Sequence, residues 1–472
     1  MRAPQLPAAT RGALLLGVAV LLGIAPFGTV ACSPDPERVP PLVVLVSLDT
    51  VRADELSCYG GPEGASPVLD AFAAVATRYE RCISTAPWTL PSHASMFTGL
   101  FPSEHGAHSF LPQDGYRGDN VFALHPSYET LAEALGARGY RCGAFVANSI
   151  YLRPGLGLEA GFDPWDVRRN RAEVLTGRAL EWLDGVGAGE RPAFLFLNYL
   201  DAHRPYRTGD PEDRARARLD ELIEAVMVEG GEPGALGRDV AALHQKAVTL
   251  LDAELARLFD GLKERGLFDR AVVVVTADHG EAFGAHGVVE HSKDVYEDLV
   301  RVPLVVKESR QTEGAVRTEL ASAVDVPGLV AAALAGTDAA SAAAVFPRLP
   351  GTHPVIAENH FSRIKDVSRF GDRFRRVRRA LYDGDAKVVV GSDGSLELYE
   401  LEGDPGELTD LAGSQPARAA SLAQELARWM EAHRRKGEPA LPADLTPSQR
   451  RDLGALGYGP SAEDGGDASK ER

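Results

Sequence analysis

The hydrophobic pattern of this chain dictates an α/β domain built on a doubly wound, mostly parallel sheet, followed by a small antiparallel sheet with a helix. Five short apolar runs, Leu42–Leu48, Cys142–Ala147, Ala193–Leu200, Ala271–Thr276 and Val302–Val306, are continuous rather than alternating, as in strands buried on both faces. Amphipathic patterns lie between them, the clearest over Asp239–Arg265, with Val240, Leu243, Ala247, Leu250, Leu251, Leu258 and Leu262 on one face. Strand alternating with helix gives a parallel sheet with helices on both sides. After about residue 345 the texture changes to short segments around Asp383-Gly384 and Asp393-Gly394, which read as hairpins.

Each segment has its own justification. Residues 1–31 carry Arg2 and Arg11, no acid, and an apolar stretch from Ala13 to Val30, the pattern of a signal peptide. It ends in Thr29-Val30-Ala31-Cys32-Ser33, which resembles a lipoprotein cleavage box with Thr29 where Leu is usual. A lipidated Cys32 tethered at a membrane surface, an ordinary cleaved signal and an uncleaved anchor helix stay open, and each places the rest of the chain outside the cytoplasm, periplasmic or at the cell surface. Residues 33–41 form a Pro-rich linker and 42–345 the large α/β domain, of which the Ala-rich 329–344 is expected to be helical. Pro347–Pro354 is a second linker. A smaller α+β subdomain over 355–435 takes strands from Arg375–Leu381, Lys387–Val390 and Leu396–Leu401 and a helix from Arg418–Arg434; the tail 436–472 ends in a polar, disordered stretch, Ser461–Arg472.

Composition excludes several function classes. With 472 residues, 44% hydrophobic, the chain can bury a full core, so general disorder is ruled out. Fifty basic against 67 acidic residues give a net charge of −17, with no basic run; nucleic acid is therefore not an expected partner. An acidic enzyme can still bind an anionic substrate if a metal ion concentrates positive charge locally. The four cysteines, Cys32, Cys58, Cys82 and Cys142, lack CxxC spacing, which removes zinc-ribbon and thioredoxin motifs. Cys58 and Cys82 could pair in an oxidising compartment, but spacing alone does not establish that.

Chemistry converges at the strand ends. Leu42–Leu48 runs into Asp49, Ala193–Leu200 into Asp201 and Ala271–Ala277 into Asp278-His279-Gly280. In an open parallel sheet ligands bind beyond the carboxyl ends of the strands, so these residues can meet although they are distant in sequence. A single such Asp is as well explained by a helix cap; three, one followed by His-Gly, point to a divalent metal, Ca²⁺, Mn²⁺ or Mg²⁺, with Zn²⁺ also compatible. The segment Ala86–Gly99 supplies the other half. Pro91 suits a first helical turn and Gly99 a helix end, which puts Thr89 just before a helix N-terminus that favours anions. A threonine hydroxyl becomes a nucleophile only when a base or a metal lowers its pKa, and otherwise Thr89 is an N-cap.

At this point the chain resembles the sulfatase family of the alkaline-phosphatase superfamily. The motifs are Val46–Asp54, Thr89–Gly106, Asn198–Tyr206, Thr276–Glu281 with Tyr296-Glu297 and Arg301–Leu304, Glu397–Glu407 and Leu453–Gly457, in family order over nearly the whole chain. The resemblance implies an alkaline-phosphatase-like fold, one divalent metal on Asp49, Thr89, Asp278 and His279, and Thr89 as nucleophile. It places His203 at the leaving group or the anion and His291 at a further anion contact. Lys293 and Lys387 are weaker candidates, and Glu281 would cap a turn.

The departures redirect the chemistry. Sulfatases oxidise Cys or Ser at the Thr89 position to formylglycine; threonine cannot form that aldehyde, so formylglycine is not expected, and Cys82-Ile-Ser-Thr upstream lacks the following Pro-Ser. Thr50 replaces the second Asp of the N-terminal pair, His93 stands at the usual Arg and is expected there as a catalytic residue, and the family's Lys-x-His falls on Ala144-Phe145-Val146. Threonine nucleophiles occur in superfamily relatives that cleave phosphate esters. The expected function is a metal-dependent hydrolase of a sulfate or phosphate ester, phosphate favoured, acting on a small molecule, glycan or lipid. Asp201, His203 and His291 would be the ligands of any second metal. Alternatives are a phosphoryl-group transferase on a surface glycan or lipid, and a catalytically silent surface binding protein. The insertion 204–238 is expected to shape the pocket rim.

Overall fold

A computed structural model of the protein describes residues 42–110, 120–186, 191–210, 214–334, 346–361, 364–435 and 440. The expected signal segment, Cys32, the 33–41 linker and, apart from Ala440, the 436–472 tail lie outside the described residues, as does most of the Ala-rich stretch, whose described part is helical over Val326–Ala333.

Eight strands form the central sheet: β1 (Leu42–Leu48), β2 (Thr77–Tyr79), β3 (Arg141–Val146), β4 (Trp165–Val167), β5 (Ala193–Tyr199), β6 (Val272–Thr276), β7 (Leu304–Lys307) and β8 (Ala315–Arg317), in the order β8-β2-β7-β6-β1-β5-β3-β4. β1 lies between β5 and β6, parallel to both, with Leu45 opposite Phe196 on one side and Val274 on the other. Every residue of β1, β5 and β6 is buried, which is why their sequences run apolar without alternation. The short strands β2, β4 and β8, the last two at the edges of the sheet, carry no such run and escaped the sequence reading.

One strand departs from expectation. The run Val302–Val306 is divided at Pro303 into Arg301–Val302, which pairs with Cys82–Ile83, and β7, which runs antiparallel to β6. The chain between them loops above the carboxyl edge of the sheet with no crossover helix to return it to the other edge, so it can re-enter only in the opposite direction. Burial on both faces gives the same apolar run in either direction.

Helices cover both faces. Thr89–Thr98 (α1) packs with Val326–Ala333 and Leu131–Gly136, while Ala172–Gly185 (α2) packs with Gly234–Glu264 (α3), which also holds Pro67–Ala73. α3 buries Val240, Ala247, Leu251, Leu258 and Leu262 as its periodicity requires, but Leu250 is 46% exposed at the edge of the stripe. α1 is fixed by Phe97, whose ring meets Phe196 of β5 edge-on at 4.9 Å; such aromatic contacts add to burial.

The smaller sheet is antiparallel, β9 (Val355–Asn359), β10 (Arg378–Asp383), β11 (Ala386–Gly391) and β12 (Leu396–Glu400), paired in sequence order. Gly384 at the β10–β11 turn has φ +61°, as the Asp-Gly signal demands. One face packs through Leu381, Val388 and Leu398 on Leu422, Leu426 and Trp429 of a final helix, α4 (Pro416–Ala432). The other packs through Ala380, Tyr382 and Val389 against Val295, Leu299 and Val300 of the large domain.

Two buried ion clusters join this sheet to the segment before β7. Arg378 holds Asp294 at 3.0 Å and Glu397 at 2.7 Å. Lys387 holds Glu297 at 3.0 Å and Glu407 at 2.7 Å and donates to the Val295 carbonyl at 2.8 Å. Lys387 is therefore not an anion contact but a structural cation, and its two carboxylates raise its pKa above the ordinary lysine value. Cys58, Cys82 and Cys142 are free thiols, so no Cys58–Cys82 bridge forms; burial pushes the Cys82 thiol far up.

Removing one partner of a buried ion cluster leaves the others uncompensated. Lys387→Met should lower the unfolding free energy by about 3–5 kcal/mol, read from urea denaturation, without a selective change in substrate KM.

Candidate active site

Asp49 directly follows β1, and Asp278-His279 lie just beyond β6. All three residues are completely buried, and one ligand atom from each lies within 4.8 Å of the others. Their hydrogen bonds divide the work. Asp49 Oδ2 accepts from Asn148 Nδ2 at 3.1 Å and Asn198 Nδ2 at 3.5 Å, and Asp278 Oδ1 accepts from the backbone N–H of His279 at 3.0 Å and Thr50 at 3.3 Å. His279 Nδ1–H donates to the Gly280 carbonyl at 2.9 Å, which leaves the lone pair on Nε2. Asp49 Oδ1, Asp278 Oδ2 and His279 Nε2 are buried without hydrogen-bond partners. Two carboxylate oxygens and one imidazole nitrogen, oriented from behind and converging, are the donor set of a divalent metal.

The electrostatics agree. Burial, then the neighbouring Asp278, pushes the Asp49 pKa up to about 8, and burial pushes Asp278 up to about 7. Burial lowers His279, so its imidazole is neutral, as a ligand must be. A bound cation removes the repulsion that keeps protons on the two acids.

Thr89 is the first residue of α1, with Trp88 extended at the N-cap, and is 1% exposed. Its Oγ1 accepts from Asn148 Nδ2 at 3.1 Å, the amide that also holds Asp49. Ser92 Oγ donates to the Asp278 carbonyl at 2.5 Å and Ser84 Oγ donates to it too, so α1 and the metal ligands share one frame. Gly99 ends the helix at φ +68°.

His93 does not supply the positive charge of the Arg it replaces. Its Nδ1–H donates to the Thr89 carbonyl at 2.8 Å, its Nε2 accepts from Ser47 Oγ at 2.9 Å, and burial lowers its pKa to about 3. It is a neutral strut between α1 and β1. Ala144, Phe145 and Val146 are buried in β3 and bring no cation either.

His203 and His291 do reach the site. The His291 ring lies 4.6 Å from that of His279 and 4.9 Å from that of His203. His203 Nδ1–H donates to the Arg204 carbonyl at 2.9 Å, and burial lowers its pKa well below the usual histidine value. His291 Nδ1 is 3.2 Å from Glu281 Oε2, so Glu281 orients an imidazole rather than capping a turn. The flanking Glu290 and Ser292 have φ +65° and +64°, left-handed conformations costing about 1–3 kcal/mol each and typical of functional sites. Glu290 pairs with Arg204 and, at 3.2 Å, with Lys293 Nζ, so Lys293 is neutralised within its own loop.

Asp201 stays out. Its Oδ2 accepts from the Ala172 N–H at 2.9 Å, capping α2, and among the described residues Asp49, Asp278 and His279 are the one group that could hold a metal. The second-metal set is thus not assembled. Thr50, at φ +67°, donates to the Asp49 carbonyl at 2.7 Å and lies 3.4 Å from His244 Nε2; His244 Nδ1 is 2.8 Å from Glu55 Oε1. Asn148, Asn198, His244 and Glu281 are the functional neighbours that sequence reasoning missed or undervalued. Asn148 carries a readable signal, since it follows the Cys142–Ala147 run just as Asp49 follows β1, but a neutral amide at a strand end does not by itself point to a metal.

The family profile described as Sulfatase matches residues 41–336. Human arylsulfatase A is 26% identical over 448 residues, covering 82% of this chain and 86% of that protein. A multifunctional alkaline phosphatase superfamily protein, PehA, from Trinickia caryophylli is 25% identical over 501 residues, covering 83% and 95%. Among solved structures, the phosphonate monoester hydrolase of Agrobacterium radiobacter superposes with TM-score 0.62 at 19% identity, over 83% of this chain and 96% of that one.

Because the folded pKa values of Asp49 and Asp278 are raised above the ordinary aspartate value of 3.8, the metal-free fold holds protons that the unfolded chain has released. Its stability therefore falls as pH rises from about 4 to about 8, and divalent metal restores it while expelling those protons. The drop in Tm on adding a chelator should be larger at pH 8 than at pH 6, and calorimetric titration with Mn²⁺ at pH 6 should show a buffer-dependent heat; equal drops at both pH values would contradict the assignment.

Proposed function

The chain belongs to the sulfatase family and is an ester-hydrolysing enzyme, and from that premise we propose that Thr89 is the nucleophile of a metal-dependent phosphoester hydrolase, with sulfate esters as the other substrate class. The observation that carries this reading is the Thr89 hydroxyl, which shares the Asn148 amide with Asp49 at the head of α1. A hydroxyl on a branched carbon cannot become an aldehyde, so the route open to it is direct attack.

Asp49, Asp278 and His279 would hold the metal with Thr89 as fourth ligand; a divalent cation there lowers the pKa of the hydroxyl and draws charge from the ester oxygens. Asn148 fixes the attacking oxygen. The N–H groups in the first turn of α1 meet the oxygens of the transferring group, as a helix N-terminus does for anions. Thr89 Oγ1, its proton lost to water, forms a bond to phosphorus as the bond to the leaving oxygen breaks, giving a phosphothreonine that water resolves. His291, oriented by Glu281, gives a proton to the leaving oxygen and takes one from the water in the second step. His203, in the same row of rings, contacts the leaving group or the anion. His93 positions α1 without touching substrate.

The proposed location outside the cytoplasm rests on residues 1–32; among the described residues no helix is long and apolar enough to cross a membrane.

The deciding experiment measures initial rates on 4-nitrophenyl phosphate, bis(4-nitrophenyl) phosphate and 4-nitrophenyl sulfate, with Mn²⁺, Ca²⁺ or Zn²⁺, for the wild type and Thr89→Ala. Phosphoester turnover reduced by about 10³-fold or more in Thr89→Ala is expected. Sulfate turnover that survives the substitution would overturn the nucleophile. His291→Ala should slow a poor leaving group such as an alkyl phosphate by about 10²-fold and 4-nitrophenyl phosphate far less, since nitrophenolate leaves without a proton; equal losses would remove His291 from the acid role.

A further inference from the structure

Away from the metal ligands, a cavity of about 650 Å³ lies between α4, the end of β11 and the segment that follows α1. That volume is in the range of small-molecule sites. Its lining combines the apolar Leu426, Ala427 and Met430 of α4 and Phe122 with the guanidinium groups of Arg379, Arg434 and Arg435. In a chain of net charge −17, three guanidinium groups around one cavity are a local reversal of sign, and Glu431 is the one carboxylate among its described lining residues.

Two polar atoms of the lining residues, Ser103 Oγ and Arg435 Nε, are buried without hydrogen-bond partners. His360, 7% exposed, is paired with Glu358, its Nε2 3.4 Å from Oε2. A buried donor or acceptor without a partner costs about 1–3 kcal/mol, which a ligand can recover. Arg379, by contrast, shares its charge with Glu358 at 3.2 Å. The rings of His360 and His108 stack at 3.5 Å and 8°, giving the cavity a flat aromatic floor. Gly106, at φ +74°, leaves room for the stem of Arg435: a Cβ there would stand 2.5 Å from Arg435 Cδ.

We propose that this cavity is a second, non-catalytic binding site for an amphiphilic anion, an aryl or alkyl body carrying a sulfonate, sulfate, phosphate or carboxylate head. The body lies on Leu426, Met430 and the imidazole floor, and the head accepts from Arg434 and Arg435. The site is separate from Thr89: Ser103 and Gly106 in its wall follow the C-terminal end of α1, while Thr89 begins it, and ten residues of helix span about 15 Å. The two ends are nevertheless connected, since His105 Nε2 lies 3.2 Å from Ser95 Oγ on α1 and the Ser103 N–H donates to Glu358 at 3.0 Å.

The probe is 8-anilino-1-naphthalenesulfonate, whose carbon–sulfur bond is not an ester, followed by fluorescence titration of the intact protein, with neutral N-phenyl-1-naphthylamine as comparison. Saturable binding at one site is expected, with Kd raised about 10-fold or more by Arg435→Gln and by Ala427→Trp, which fills the cavity and keeps every arginine, and unchanged by Thr89→Ala. The affinity of the neutral amine should not respond to Arg435→Gln. Should Arg435→Gln fail to fold by its Tm, Arg434→Gln and Ala427→Trp carry the test. Sulfonate binding that neither charge removal nor filling weakens, or neutral-amine binding as tight as the sulfonate, would overturn the site, and neither result bears on Thr89.

Discussion

The arrangement of this protein follows from burying two carboxylates side by side. Asp49 and Asp278 are both completely enclosed, a costly state for ionised groups unless an opposite charge joins them. Their outer oxygens are held by amides and backbone N–H groups, their inner oxygens accept no hydrogen bond, and among the described residues no Arg or Lys is paired with either. The surrounding structure keeps the two acids facing each other: β1 and β6 are adjacent and parallel, so the residues past their ends emerge together, and Asn148 and Asn198 come from the neighbouring strand ends. The fold holds them in a geometry that a divalent cation relieves.

That logic explains what could be read in advance. Asp49, Asp278, His279 and Thr89 were legible because each sits at a junction with a local signature, the end of an apolar run or the start of a helix carrying Pro91 and Gly99. The four parallel strands β1, β3, β5 and β6 were legible for the same reason. Asp201 carried the same signature as Asp49, yet its side chain turns to the N–H groups of α2, a competition between two uses of a carboxylate that only tertiary contacts resolve. The direction of β7 was hidden because burial, not direction, sets apolar runs. His93 and Lys387 were misread in one way: a charged or titratable residue in a motif was assumed to face substrate, whereas full burial among hydrogen-bond and ion partners makes it structural. The stacked histidines and the arginine-lined cavity drew no attention in the sequence, since their residues are scattered from His108 to Arg435.

The site also shows how specificity for a leaving group can be separated from the attacking machinery. The proposed nucleophile and the candidate metal ligands rest on β1, β6 and α1, the centre of the large domain. His291 rests on a loop with two left-handed residues, held by Glu281 on one side and by Glu290, Arg204 and Lys293 on the other. Rotating one carboxylate in that loop would displace a ring without moving Thr89, so this half of the site can vary while the metal half stays constant.

The two ion clusters set an order of assembly. Asp294 and Glu297, just past His291, find their cations at Arg378 and Lys387, and those in turn depend on Glu397 and Glu407. A ribosome must therefore deliver roughly another hundred residues after the histidine loop before the last partner exists. A nascent chain carrying every candidate metal ligand is still unfinished around the histidine loop, and that loop is complete only when the smaller sheet folds back onto the middle of the chain.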